Sequence, residues 1–209
     1  RDFCLSRGLG DVYKRQFQSF PCKKTIDTFT LPKDRNIFSE VMESHQKNGS
    51  ANAKILHYIA ENFLYPKDFE SLIYISQVLQ AIAIKSGVEH WRRNRGRCMG
   101  AIYWQLNDNW PVASWASIDY FGRWKALQYF SRHFYADVLG SLKVSADAVY
   151  TPYLQNETMQ EVSSDVTVFV KNMRGEVLFE TSQRTECASL SVEAMEPVPL
   201  KDVIEGRES

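Results

Sequence analysis

Gly-Ala-Ile-Tyr-Trp-Gln-Leu-Asn-Asp-Asn-Trp-Pro, residues 100–111, is the stretch on which the fold turns. With Met99 before it, the run is apolar, aromatic and β-branched as far as Leu106, which predicts one buried strand over 99–106. It then breaks into Asn107, Asp108 and Asn109, flanked by Trp104 and Trp110 and stopped by Pro111. An apolar strand that empties into carboxamides, a carboxylate and indoles suits a parallel α/β barrel. There the strand body fills the core and its carboxyl end faces the site. Indoles match the apolar C–H faces of a sugar, and Asn and Asp can bond its hydroxyls. A core strand with a polar loop and two structural tryptophans is the alternative that these residues leave open.

Upstream, the chain reads as helices. Loop and short turns are expected over 17–32, then a short helix over 36–46 with Ile37, Phe38, Val41 and Met42 on one face. Residues 48–50 break the chain, and 51–63 resumes helically with Ile55, Ile59 and Phe63 spaced by four. Pro66 ends that element, and Asp68 can cap a helix running to about Arg93. Phe69, Leu72, Ile73, Ser76, Leu79, Ile82 and Ala83 recur on it at three-to-four spacing. The basic cluster at 92–97 that follows complements the helix dipole; a phosphate or nucleic-acid patch is the less favoured reading. Beyond the central strand, 122–135 predicts a closing helix with Trp124, Leu127, Phe130 and Phe134 inward. His57 and His90 fall in helices and His133 near a helix end, so structural roles are expected for them.

The character of the chain changes near Asp137. Val166, Val168 and Val170 alternate with Thr167, Phe169 and Lys171, and a turn at 172–175 precedes an apolar run from Val177 to Thr181. Leu190, Val192 and Met195 suggest a further strand. The pattern is that of an antiparallel module at the start of an immunoglobulin-like β-sandwich.

Among its 209 residues, 44% are hydrophobic and 13% aromatic, enough for a substantial core. Lys plus Arg and Asp plus Glu both number 25, so net charge supplies no drive toward nucleic acid or a membrane surface. No uninterrupted run of 18 apolar residues occurs, so no membrane span is expected. Cys4, Cys22, Cys98 and Cys187 are scattered, which argues against a metal site and suits a reducing compartment. Asn48-Gly49-Ser50 and Asn156-Glu157-Thr158 fit the N-glycosylation signal.

The wording of the central stretch adds a resemblance. Residues 103–111, Tyr-Trp-Gln-Leu-Asn-Asp-Asn-Trp-Pro, and 117–127, Ser-Ile-Asp-Tyr-Phe-Gly-Arg-Trp-Lys-Ala-Leu, closely resemble the end of the catalytic barrel in β-mannosidases of glycoside hydrolase family 2. Phe17-Gln18-Ser19-Phe20-Pro21 resembles the block that follows the nucleophile loop there. The likeness runs from Phe17 to about Val138 and is weaker beyond. It implies a fold of α/β plus all-β class: terminal units of a (β/α)8 TIM barrel over 17–138, then part of an immunoglobulin-like β-sandwich over 139–209. Residues 1–16 resemble a translated sequencing adapter and are expected to be a non-native or disordered leader.

The resemblance implies a fragment of a retaining hydrolase that removes terminal β-D-mannose without a cofactor. Its partners would be a β-mannoside substrate and the remaining N-terminal domains of the same protein. Trp104, Asn107, Asp108 and Trp110 would bind substrate, while Asp119, Tyr120 and Arg123 would be scaffolding. Retaining chemistry needs two carboxyl groups roughly 5 Å apart. Lys14 stands where the resemblance expects the nucleophilic Glu, and the acid/base Glu belongs to a strand outside the chain, so the chain alone is expected to be inactive. Other family 2 specificities, of β-glucosaminidase or β-galactosidase type, and a non-catalytic carbohydrate-binding or structural module are the alternatives.

Overall fold

A long central helix, α4 (Phe69–Arg93), holds together the helical part of the chain. The computed structural model describes the backbone of residues 11–205 and the side chains of 17–204. Asp68 starts α4: its Oδ1 accepts from the Ser71 N–H at 2.7 Å, a bond that holds its carboxyl below the usual range. By length and mean hydropathy α4 is apolar enough to cross a membrane, yet half of its most apolar window is buried in the protein. Its buried face also carries Ser76, Gln77 and Gln80, whose partners are loops of this chain. That is the pattern of a core helix that also serves as a bracket.

The chain divides into two compact units. One comprises Val12–Val88 and Ala101–Phe134. In chain order it contains β1 (Asp11–Gln16), α1 (Lys23–Ile26), a 3-10 turn (Pro32–Asp34), α2 (Glu40–Ser44) and α3 (Ala51–Asn62). It also holds most of α4, the end of β2 (Cys98–Trp104), and α5 (Ala126–Phe134). Strands β1 and β2 pair in a two-stranded sheet. The core is Phe20, Ile26, Ile37, Met42, Ile55, Ile59, Ile73 and Leu79, so the loop after β1 and the four helical segments share one apolar centre.

Several sequence expectations are adjusted. Within the leader expected to be non-native or disordered, Asp11–Gln16 forms a strand, because backbone pairing needs no apolar run. Residues 1–10 lie outside the described part. The helix expected over 36–46 is only Glu40–Ser44. Asn36 accepts the Phe38 N–H on its own side chain, a local turn that competes with helix, and Ser39 then caps by accepting from Met42 N–H. The closing helix begins at Ala126 rather than 122, because Asp119 draws the backbone N–H groups of Phe121 and Arg123 into a turn with Gly122 at φ +78°. Trp124, expected inward, is therefore 39% exposed and stacks edge-on with Tyr129, while Lys125 is wholly buried. From there Leu127, Ser131 and Phe134 make the inward stripe.

The second unit comprises Glu89–Gly100 and the chain from Tyr135 onward. Strands β3 (Val138–Val144) and β4 (Val149–Asn156) are antiparallel, from Val138 opposite Asn156 to Val144 opposite Tyr150. The long hairpin of β5 (Val162–Lys171) and β6 (Val177–Cys187) turns at 172–175 with Gly175 at φ +86° and bulges at Val170/Lys171. Strands β7 (Ser191–Ala194) and β8 (Val198–Pro199) both pair with β4, and the short α6 (Lys201–Glu205) follows. Leu154, Cys187 and Met195 form the core of this sheet unit. Arg92, Arg93 and Arg95 are engaged. Arg93 donates to Ser141 Oγ at 3.0 Å, Arg92 to the Ala136 carbonyl at 2.8 Å, and Arg95 is bonded to Glu157. Burial lowers the Arg92 and Arg93 pKa, against the pull of Glu157 and Glu89 respectively.

Candidate carbohydrate site

Strand β2 ends at Trp104, two residues earlier than the apolar pattern predicts, and the Trp104–Gln105 peptide is cis. From there the backbone is stitched to the return segment: Gln105 N–H donates to Trp115 O, Ser117 N–H to Gln105 O, and Ile118 N–H to Leu106 O. The strand end is thereby converted into a fixed loop. Asn107, Asp108 and Asn109, with Gln105 and Lys47, line an open depression of about 350 Å³. Trp104 is 43% exposed, and Trp110 packs against His45, whose ring stacks on Phe29 at 3.8 Å. Of the four residues singled out in the sequence, Asn107 and Asp108 line the depression and the two indoles do not.

Asp108 is the most constrained of them. Its side chain is 1% exposed, and its Oδ2 accepts from Ser114 Oγ at 2.5 Å. Its Oδ1 accepts from Gln105 Nε2 at 3.1 Å and faces Lys47 Nζ at 3.4 Å. A carboxylate with three such partners orders the loop; it has little capacity left for a ligand hydroxyl. Asn109 Oδ1 accepts from Lys47 Nζ at 3.2 Å, whereas Asn107 is exposed. Lys47 and Gln105 are site residues the sequence reading missed. Lys47 sits in a polar turn with no periodic signal and arrives at the depression only through packing.

Behind the loop lies a buried polar junction. Ser19 and Ser114 exchange backbone hydrogen bonds at 3.0 and 3.2 Å, joining the segment after β1 to the segment after the candidate loop. Lys125 Nζ donates to both of their carbonyls at 3.3 Å. Gln80 of α4 accepts from Ser19 Oγ at 2.7 Å and donates to Phe17 O and Trp115 O. Desolvation pushes the Lys125 pKa down to about 8, partly opposed by the charges of Asp108, Cys22 and Asp119. Asp119 accepts from Thr25 Oγ1 at 2.5 Å and from the Phe121 and Arg123 N–H groups at 3.0 Å, while Arg123 also reaches Thr25. Asp119 and Arg123 are thus engaged within the turn and with Thr25. Lys14 lies in β1, and its side chain falls outside the described residues. Among the described residues, no group of three or more His, Cys, Asp or Glu is placed to hold a metal ion.

The described residues form a helix-and-sheet chain whose strand β2 leads into a polar loop over an open depression. No family model matches the chain. It is 31% identical over 192 residues to a β-mannosidase of Rattus norvegicus, covering 86% of this chain and 21% of that protein. To a β-mannosidase of Bos taurus it is 37% identical over 136 residues, 59% of this chain and 16% of the other. The crystal structure of a β-D-mannosidase from Dictyoglomus thermophilum superposes with a TM-score of 0.82 at 29% identity, covering 90% of this chain and 23% of that one. An exo-chitosanase, CsxA of Amycolatopsis orientalis, shares the fold at a TM-score of 0.71 and 15% identity, with 87% and 23% covered. The chain is a β-mannosidase-like segment of the glycoside hydrolase family 2 kind, and it spans about a fifth of the length of the relatives it matches.

Proposed function

We propose that this chain is the closing part of the catalytic barrel, followed by the start of an immunoglobulin-like β-sandwich, of a retaining β-mannosidase. The barrel part is 17–138 and the sandwich part 139–209, with β2 and α5 as the last β/α unit and α4 as the helix before it. The observation that carries the reading is the loop of Asn107–Asn109 held open over a depression directly after β2. Asn107 offers its carboxamide to sugar hydroxyls. Trp104 supplies the apolar platform, Trp110 shapes the rim through His45, and Asp108 acts by fixing the loop. The substrate is a terminal β-D-mannoside, bound in concert with the remaining domains of the same protein. Assay of the protein translated from the contiguous gene tests this. Release of p-nitrophenol from the β-mannoside is expected; preference for the β-glucosaminide or β-galactoside would favour another family 2 specificity, and no hydrolysis at all a binding module.

In that extended protein, Trp104→Ala is expected to lower kcat/KM on the β-mannoside about fivefold, from ~1 kcal/mol of lost ring contact. Unchanged kinetics would assign Trp104 to packing alone.

On the resemblance, Lys14 stands where the nucleophilic Glu is expected and the acid/base Glu belongs to another strand, and a cationic amine cannot form the glycosyl ester. The chain by itself is therefore expected to release no p-nitrophenol from the β-mannoside, and Lys14→Glu alone should not restore it. Hydrolysis by the purified chain above a mock-purified control would mean the reacting groups lie elsewhere in it.

A further inference from the structure

Two copies of one modification signal occur in the chain, and their structural settings are opposite. We propose that Asn48 is an N-glycosylation acceptor and that Asn156, which carries the same signal, is excluded from that role in the folded protein.

Asn48 lies in the turn between α2 and α3, partly exposed, followed by exposed Gly49 and Ser50. Its backbone is engaged, with the N–H donated to Gln46 Oε1 and the carbonyl accepting from Ala51 N–H. Its side-chain amide has no hydrogen-bond partner among the described residues. Ser50 precedes α3 without a side-chain capping bond, so the hydroxyl that the transferase must recognise is also uncommitted. A β-carbon built on Gly49 would meet nothing within 4 Å, so the turn is open at the residue after Asn48.

Asn156 is 0% exposed at the end of β4. Its Nδ2, the atom that would carry the sugar, donates to Gln160 O at 2.7 Å, Ala188 O at 3.0 Å and Cys187 O at 3.1 Å. Its Oδ1 accepts from the Thr158 N–H and hydroxyl, and that hydroxyl also donates to Gln160 O. A substituted amide keeps one hydrogen for three buried carbonyls, and leaving such acceptors without partners is costly. A chain modified there early in synthesis would not complete the sheet unit.

The reaction forms a bond from Asn48 Nδ2 to the anomeric carbon of a lipid-diphosphate-linked oligosaccharide. It breaks that carbon's bond to the diphosphate, releases the lipid diphosphate and passes one amide proton to a base of the transferase. Because the neighbouring Lys47 reaches Asp108 and Asn109, the attached glycan would stand beside the rim of the candidate site.

The test is secretion of the full chain, behind a cleavable signal peptide, from a eukaryotic cell. Both secreted and retained fractions are digested with peptide N-glycosidase F in H2(18)O and mapped by mass spectrometry. The expected result is the heavy-oxygen Asp label at Asn48 in the secreted chain, with unlabelled Asn156 in the same fraction. N48Q should abolish the glycosidase-sensitive gel shift, and T158A should leave it unchanged. Label at Asn156 in the secreted fraction, or absence of label at Asn48 from both fractions, would overturn the proposal.

Discussion

Asp119→Ala should destabilise the helical unit by roughly 3 kcal/mol or more, the cost of removing one member of a buried, hydrogen-bonded charge cluster. The carboxylate is nearly inaccessible and is the common acceptor for Thr25 Oγ1 and for the N–H groups of Phe121 and Arg123. Without it the turn before α5 loses its template, and the buried Thr25 hydroxyl loses its acceptor. Asp119→Asn keeps one acceptor oxygen and the shape of the turn, so its loss should be markedly smaller. Urea titration followed by tryptophan fluorescence measures both. A loss below about 1 kcal/mol for the alanine variant would show that Gly122 and the backbone alone set the turn.

A second large effect concerns Lys125. Its folded pKa of about 8 lies below the ordinary value of 10.5, so the unfolded chain binds the extra proton more readily between those pH values. Stability therefore rises with pH across that window: the buried ammonium is a cost at neutral pH, relieved as the amine neutralises. From pH 7 to pH 10, the wild-type chain should gain about 2 to 3 kcal/mol over Lys125→Met, at roughly 1.4 kcal/mol per pKa unit. Other titrating groups contribute to both proteins and cancel in the difference. The check is the pH dependence of that difference by urea denaturation. A flat profile would mean that Ser19 O and Ser114 O, with the nearby carboxylates, stabilise the ammonium fully.

These two residues also mark where sequence reading reached its limit. Periodicity was sufficient for α3 and α4, because a run such as Ile55, Ile59 on one and Ile73, Leu79 on the other must bury one stripe. Alternation was sufficient for the β5–β6 hairpin and its turn at 172–175. Helical periodicity failed over 122–135, where Trp124 was assigned inward on hydrophobicity and the buried Lys125 was not singled out. The helix phase is set by where the Asp119 turn releases the chain, a property of its hydrogen bonds and not of local periodicity. Asp108 was legible as a polar residue at a strand end, but not as a buried one. Its partners Ser114 and Lys47 are 6 and 61 residues away in the chain.

By itself the sequence determined the helix-rich first part, the alternating second part, and the polar loop at residues 107–109 between Trp104 and Trp110. Each of these is a local property, readable from spacing and turn chemistry. Only the tertiary structure decided which polar groups stay exposed and which serve as internal fasteners. Asn107 stays outside while Asp108, Asp119 and Lys125 are buried. It also decided that, of the two residues carrying the glycosylation signal, Asn156 is buried and Asn48 is partly exposed. The physical reason is the same in both cases: a polar side chain goes inside only where distant segments bring enough partners to replace water, and those partners carry no signature in the local sequence.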